Sequence, residues 1–321
     1  MEIAAIRSLV STDLAAVDAL IRQRLHSEVV LVNQIGHYII NNGGKRLRPL
    51  LALLCAHACG YTGNKHIDIA AIIEFIHTAT LIHDDIVDAS ELRRGKETAN
   101  SLWGNEASVL VGDFLYSRAF EMMVEVGDIR VMAIMARATN IIAEGEVMQL
   151  LNCHDADTTE QRYLDVIHYK TAKLFEAAAQ LGGILSRDDG AAAALSRYGM
   201  HLGTAFQLVD DILDYSATSE VIGKNIGDDL AEGKPTLPLI YALQHSPPQQ
   251  ASVLRHAIEN GGRDDIAEVI ATIESSGALA YTAQAAQREA QQAAGALHGL
   301  AASPYKDALF ALTDYAVSRS Y

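Results

Sequence analysis

The chain has 321 residues, half of them hydrophobic, and a formal charge of −15. That acidity excludes a general nucleic-acid binder, although it leaves room for local basic pockets that take small anions. Scarce aromatics and prolines beside abundant Ala, Leu and Ile favour helix over sheet.

Apolar residues recur at three- and four-residue spacing almost throughout, and no convincing alternating strand is seen. Thr12-Asp13 predicts the cap of a first helix to about Leu25, and Ser27 leads a second through Ile40. Asn41-Asn42-Gly43-Gly44 breaks the pattern, and Pro49 is expected as the first residue of the next helix, which reaches Cys59. Within it, Cys55, Cys59 and His57 are too few for a zinc site, so the thiols, with Cys153, are expected to be reduced, as in a cytoplasmic protein.

Asp68 caps a helix to about Asp88, and a charged loop spans 90–105. Helices near 106–126 and 128–151 follow, then a loop at 152–159 and helices near 160–169 and 171–185. Gly190 opens a helix to Tyr215; the stretch from Ser216 to Lys234 reads as loop, and Pro235 starts another helix. The Ala/Gln-rich last third reads as covering helices. The expectation is one all-α domain over 1–321, with no signal peptide and no apolar run long enough to span a bilayer.

Two acidic clusters stand out. Asp84, Asp85 and Asp88 occupy positions i, i+1 and i+4 of a helix, and Asp210, Asp211 and Asp214 repeat the spacing. Aspartate is a poor helix-interior residue, and like charges one turn apart repel. An acidic surface face would explain one cluster. Two, each embedded in a mostly apolar helix, point to hard divalent cations that also hold phosphate oxygens.

Matching cations are present. GGKRLRP (Gly43–Pro49) sets Lys45, Arg46 and Arg48 at a helix start, where amides and dipole suit a phosphate, although it is no Walker A loop. Arg93-Arg94 follows the first cluster, and Lys170-Thr171, Lys224 and Lys234 lie near expected helix ends. The chemistry expected is a metal-bridged diphosphate whose carbon–oxygen bond breaks heterolytically. No Ser-His-Asp or Cys-His arrangement supports covalent catalysis.

GGKRLRP, the DDxxD at Asp84–Asp88 with Arg93-Arg94, KTAKLFEAA, and FQLVDDILDY followed by GKNIGDDLAEGKPTLP resemble the trans-polyprenyl diphosphate synthases over nearly the whole chain. EFIHTATLIHDDIVDASELRRGKETAN and AEGEVMQLLN most resemble the bacterial octaprenyl-forming members, whose product becomes a quinone side chain. The resemblance implies an all-α helical bundle around a deep cavity, a cytoplasmic homodimer, and two or three magnesium ions per active site. It implies repeated addition of isopentenyl diphosphate to an allylic diphosphate such as farnesyl diphosphate, with transient membrane contact through the lipid product.

Carried over by position, Asp84, Asp88 and Asp210 match metal ligands, with Asp85, Asp211 and Asp214 as direct or water-mediated support. Lys45, Arg48, His77 and Arg94 match the isopentenyl diphosphate site; Arg93, Lys170, Thr171, Gln207, Lys224 and Lys234 match groups holding the allylic diphosphate. His77 sits seven residues before Asp84 on the same helix face; the competing reading is a core histidine. Asp85, Asp211 and Lys170 are counted with the catalytic residues.

A growing tail must run down between helices. Ala79, about 7.5 Å deeper than Asp84, and Thr80 are small enough to pass it. Among Met122, Met123, Met132 and Met135, the pair Met123 and Met135 is expected to form the floor, with ordinary core methionine as the alternative. The rival functions are a synthase of another chain length, a terpene cyclase, an HD-type phosphohydrolase, and a non-catalytic partner subunit of a hetero-oligomeric synthase.

Overall fold

The computed structural model describes residues 1–41, 44–216, 227–262 and 265–319. The fold is all-α. Its helices are α1 (Ile3–Ser8), α2 (Ser11–Arg24), α3 (Val30–Asn41), α4 (Leu47–Ala58), α5 (Lys65–Val87), α6 (Ala99–Trp103), α7 (Asn105–Val126) and α8 (Ile129–Asn152). Then come α9 (Glu160–Val166), a π-helical segment (Ile167–Ala172), α10 (Lys173–Leu185) and α11 (Asp189–Ser216). A short turn of helix, Asp228–Ala231, precedes five longer ones: Leu237–His245, Pro248–Asn260, Ile266–Ser275, Ala278–Ala296 and Pro304–Ser318.

Several boundaries differ from the sequence expectation. Helix α4 begins at Leu47, so Pro49 is its third residue rather than its first. Proline is tolerated there because first-turn amides have no intrahelical acceptor. Pro235 lies two residues ahead of its helix, which begins at Leu237. The loop after α5 contains a two-stranded hairpin, β1 (Leu92–Arg93) against β2 (Lys96–Glu97). Its turn residues Arg94 and Gly95 both have positive φ, 55° and 73°, as a two-residue hairpin turn requires.

The chain groups into two compact units. One comprises Met1–Thr139, Leu174–Gly199 and Gly295–Leu312. At its centre α4 has ten of twelve residues buried, so it is apolar all round rather than on one stripe. Gly182 of α10 lies so close to α4 that a Cβ there would meet the Ala56 amide nitrogen at 2.7 Å. Helices α5 and α7 run antiparallel: Lys65 donates to the Val126 carbonyl at one end, while His83 faces the Val109 carbonyl at 3.2 Å at the other. Cys55 is a buried free thiol and Cys59 a partly buried one.

The other unit comprises Asn140–Lys173, Met200–Ala294 and Thr313–Tyr321. Tyr163, Ile167, Leu208, Val209, Leu237 and Ile240 form one of its buried clusters, and Tyr215, Leu239, Leu254, Ile258, Val269 and Ile273 belong to another. Gly145 of α8 allows close approach to the π-helical segment: a Cβ there would meet the Lys170 amide nitrogen at 2.7 Å. Among the described residues, no helix is long and apolar enough to cross a membrane.

Candidate active site

Both aspartate motifs lie in the last turns of their helices, Asp84 and Asp88 at the end of α5 and Asp210, Asp211 and Asp214 near the end of α11. A helix C-terminus already carries partial negative charge. Carboxylates are therefore placed where the backbone field opposes them, and nearby cations offset that cost.

In the first unit, Asp84 and Asp88 are partly exposed and one turn apart, whereas Asp85 is buried. The Asp85 carboxylate is held by Arg93, whose Nε and Nη2 each lie 2.7 Å from Oδ1. The hairpin turn brings Arg93 back over the end of α5 to make this pair. Arg94 follows it in the left-handed conformation, packed against Gly44, where a Cβ would meet its guanidinium at 2.8 Å.

These arginines line a pocket of about 60 Å³ together with Arg46, His77, Glu74 and Asp85. Burial lowers the Arg94 guanidinium from its ordinary value, and the charges of Arg93 and Arg46 add to the effect. An entering anion would relieve that crowding. Arg46 is not free to serve as one more phosphate ligand, because it pairs with the buried Glu74 carboxylate and reaches Asp18 at 3.7 Å. Lys45 is exposed on the same turn, and its carbonyl accepts from Arg7 at 2.8 Å.

Arg48 stacks on Phe175, with its guanidinium carbon 4.4 Å from the ring centre. Its Nη1 lies 3.1 Å from His77 Nε2. A guanidinium only donates, so Nε2 accepts and the ring proton sits on Nδ1. Burial, reinforced by Arg48, Arg94, Arg93 and Arg46, holds His77 well below the usual histidine range.

Stability should follow. The unfolded chain takes up a proton at His77 below about pH 6.5, while the folded chain does not, so stability falls as pH drops through that value. His66, also lowered by burial, contributes in the same direction. His77→Gln is expected to shrink the loss of unfolding free energy between pH 7 and 5.5 by about 1 kcal/mol, read by urea unfolding at both pH values. An unchanged difference would show His77 to be protonated in the folded chain.

In the second unit, the π-helical segment carries Lys170 and Thr171. Such segments insert one extra residue into a helix and re-aim its side chains. Lys170 Nζ lies 2.6 Å from Glu146 on α8. Thr171 donates to Gln207 Oε1 at 3.2 Å, and Gln207 Nε2 donates to Asp211 Oδ1 at 2.8 Å. Tyr163 donates to the other Asp211 oxygen in a short hydrogen bond. Burial, and after it the charge of Asp229, push the Asp211 carboxyl up to about 8.

Asp210 is more open, and Arg319 reaches it with Nη1 at 2.6 Å. Arg319 also stacks on Phe206 at 3.7 Å and donates to the Phe206 carbonyl at 2.7 Å. Asp214 is buried, with the Asp229 amide 3.4 Å away. Lys234 pairs with Glu232 at 2.5 Å. Lys224 and Gly43 lie outside the described residues.

The first unit thus gathers Arg48, His77, Asp85, Arg93 and Arg94, with Asp84 and Asp88 at the same helix end. The second gathers Lys170, Thr171, Gln207, Asp210, Asp211 and Asp214. Sequence reasoning missed Tyr163, Glu146, Glu74 and Arg319 as partners of these groups. Glu146 and Glu74 alone had a signal, as members of the stretches AEGEVMQLLN and EFIHTATLIHDDIVDASELRRGKETAN. Asp84 and Asp88 in the first unit, and Asp210 in the second, each offer only carboxylate oxygens, the donors that suit a hard divalent cation. Deeper in the first unit, Ala79, Met122, Met123 and Met135 are buried, while Thr80 and Met132 are partly so.

The chain matches the polyprenyl synthetase family model over residues 29–274. It is 53% identical over 321 residues to octaprenyl diphosphate synthase of Escherichia coli (strain K12), covering 99% of each chain. To the all-trans-nonaprenyl-diphosphate synthase (geranyl-diphosphate specific) of Rhodobacter capsulatus it is 47% identical over 311 residues, covering 97% of this chain and 96% of that one. Its structure is similar to a polyprenyl synthase from Caulobacter crescentus complexed with calcium and isoprenyl diphosphate. There the TM-score is 0.96 at 44% identity, covering 100% of this chain and 98% of that one.

Proposed function

The chain belongs to the polyprenyl synthetase family, and on that premise we propose that it adds isopentenyl diphosphate units to an allylic diphosphate until octaprenyl diphosphate is formed. The carrying observation is the placement of two intact DDxxD motifs at helix C-termini, among cations that suit diphosphates. Farnesyl diphosphate is the proposed primer, and a quinone side chain the proposed destination. The whole of 1–321 is taken as one synthase domain.

Asp84, Asp88 and Asp210 are the residues that would hold magnesium, which when bound neutralises the departing diphosphate. Asp85 is buried and held by Arg93, and Asp211 is buried and held by Tyr163 and Gln207, so their proposed role is to fix the arginine and the glutamine in place; Asp210 also meets Arg319 but is the more open carboxylate. Lys45, Arg48, Arg94 and the Nδ1–H of His77 take the isopentenyl diphosphate. Arg93, Lys170, Thr171, Gln207, Lys224 and Lys234 take the allylic diphosphate.

Ionisation of the allylic carbon–oxygen bond gives a carbocation, which the isopentenyl double bond attacks. The new bond leaves a tertiary cation, and loss of a proton to the departed diphosphate restores a double bond. Apolar walls exclude the water that would trap either cation.

The E. coli and R. capsulatus relatives differ in the product named, so length is the finer part of the proposal. Exposed apolar side chains on α7 and α8, among them Val109, Leu110, Val124 and Ile129, support a second copy of the chain as partner.

The rival of a non-catalytic partner subunit is separated by assaying the purified chain alone. Isopentenyl diphosphate is expected to be consumed with an allylic primer and magnesium. A chelator should stop the reaction and added magnesium restore it. A folded chain inactive until a second protein is added would overturn the reading.

A further inference from the structure

One cluster of metal-ligating side chains takes no part in the proposed reaction. Asp13 on α2, His57 at the end of α4 and His66 at the start of α5 each present one donor atom, and the three atoms lie within 4.8 Å of one another. Asp13 Oδ2 is 2.6 Å from His57 Nε2 and 3.3 Å from His66 Nε2. The His66 side chain is only 6% exposed.

Neither ring nitrogen of His66 makes a hydrogen bond of good geometry, and Nε2 has only the contact to Asp13 at 3.3 Å. A neutral imidazole carries one N–H and one lone pair, so Nδ1 is held out of water without compensation and Nε2 with that one contact alone. Buried polar groups left this way call for an ion or a water. Aromatic neighbours fix the rings: Tyr305 stacks on His57 at 4.7 Å, and Tyr61 meets His66 edge-on at 5.7 Å.

We propose that Asp13, His57 and His66 bind a zinc ion that ties α2 to α4 and α5. Two imidazoles and one carboxylate form a donor set that suits zinc and disfavours magnesium, which prefers oxygen alone. Tetrahedral zinc with bonds of about 2.0 Å needs donors about 3.3 Å apart. The 3.3 Å pair already meets that, and the 2.6 Å pair must open by less than 1 Å. Water completes the coordination. Cys55 and Cys59 are not needed, so His57 belongs to a site that its neighbours in sequence do not reveal.

The test is equilibrium dialysis of the full chain against zinc chloride in excess magnesium, which keeps the carboxylate-only sites filled. Wild type should retain one zinc per chain that His57→Gln and Asp13→Asn lose. The loss of affinity should exceed the about 10- to 100-fold that removal of an outer-shell partner causes. Zinc should also raise the melting temperature of wild type but of neither variant, with magnesium-dependent activity retained in all three.

Zinc retained equally by wild type and folded variants would assign it to the aspartate motifs and overturn the proposal. So would no zinc bound by wild type. Should the variants fail to fold, cobalt(II) substituted into wild type decides. A strong visible band of four-coordinate, imidazole-bound cobalt supports the site, and only the weak bands of six-coordinate cobalt contradict it.

Discussion

Asp84→Ala is expected to lower kcat by about 10³-fold, with the fold and melting temperature of the protein kept. The side chain is partly exposed at the last turn of α5, so truncation leaves no cavity and removes repulsion with the helix terminus. Stability should therefore hold or rise slightly while the rate collapses. That opposition separates a metal ligand from a structural residue. Steady-state kinetics at saturating magnesium and both substrates, beside a thermal melt, would measure it. Asp113→Ala, which removes an exposed carboxylate 3.5 Å from His83 Nε2, is the control expected to change kcat little. A similar loss in both variants would remove the special role given to the first motif.

The Met123→Ala, Met135→Ala double variant is expected to lengthen the product. Helix α7 runs antiparallel to α5, with Gly112 beside His83 and Val126 beside Lys65. That register puts Met123 level with residues 69–71, about 20 Å down α5 from Asp84. Met123 and Met135 are both fully buried, and Ala79 sets no aromatic stop at its own level of α5, the buried Phe75 lying one turn deeper. Each truncation should also cost roughly 2–5 kcal/mol as a core methionine lost. Product sizing is best done at low temperature, where the variant stays folded. An unchanged chain-length distribution from folded, active protein would return both methionines to ordinary core packing, and Met122 would be the next residue to truncate.

Much of the molecule is legible in its sequence because long helices carry their own signal. The 3.6-residue period places α5, α7, α8 and α11 within a few residues of their observed limits. Paired DDxxD spacing identifies the ends of α5 and α11 as chemistry-bearing without a structure. What fails is what depends on one residue or on a partner far along the chain. The π-helical segment at Ile167–Ala172 adds a single residue to an otherwise continuous helix, and a break near Lys170 was the nearest sequence could come.

The hairpin at Leu92–Glu97 was hidden for a different reason. Its two-residue strands are too short to alternate, and Arg94 occupies a positive-φ position where glycine or asparagine would have advertised the turn. Arg319 has no local signal at all. It matters because it reaches Asp210, 109 residues away. The same holds for His66, whose poorly satisfied nitrogens are visible only once α2, α4 and α5 are packed.

The most direct test of the central claim is to incubate the purified chain with farnesyl diphosphate, labelled isopentenyl diphosphate and magnesium, and to size the products by chromatography. Octaprenyl diphosphate is predicted as the main long product. No elongation beyond the primer would contradict the account, and accumulation of geranylgeranyl diphosphate alone would contradict its chain length.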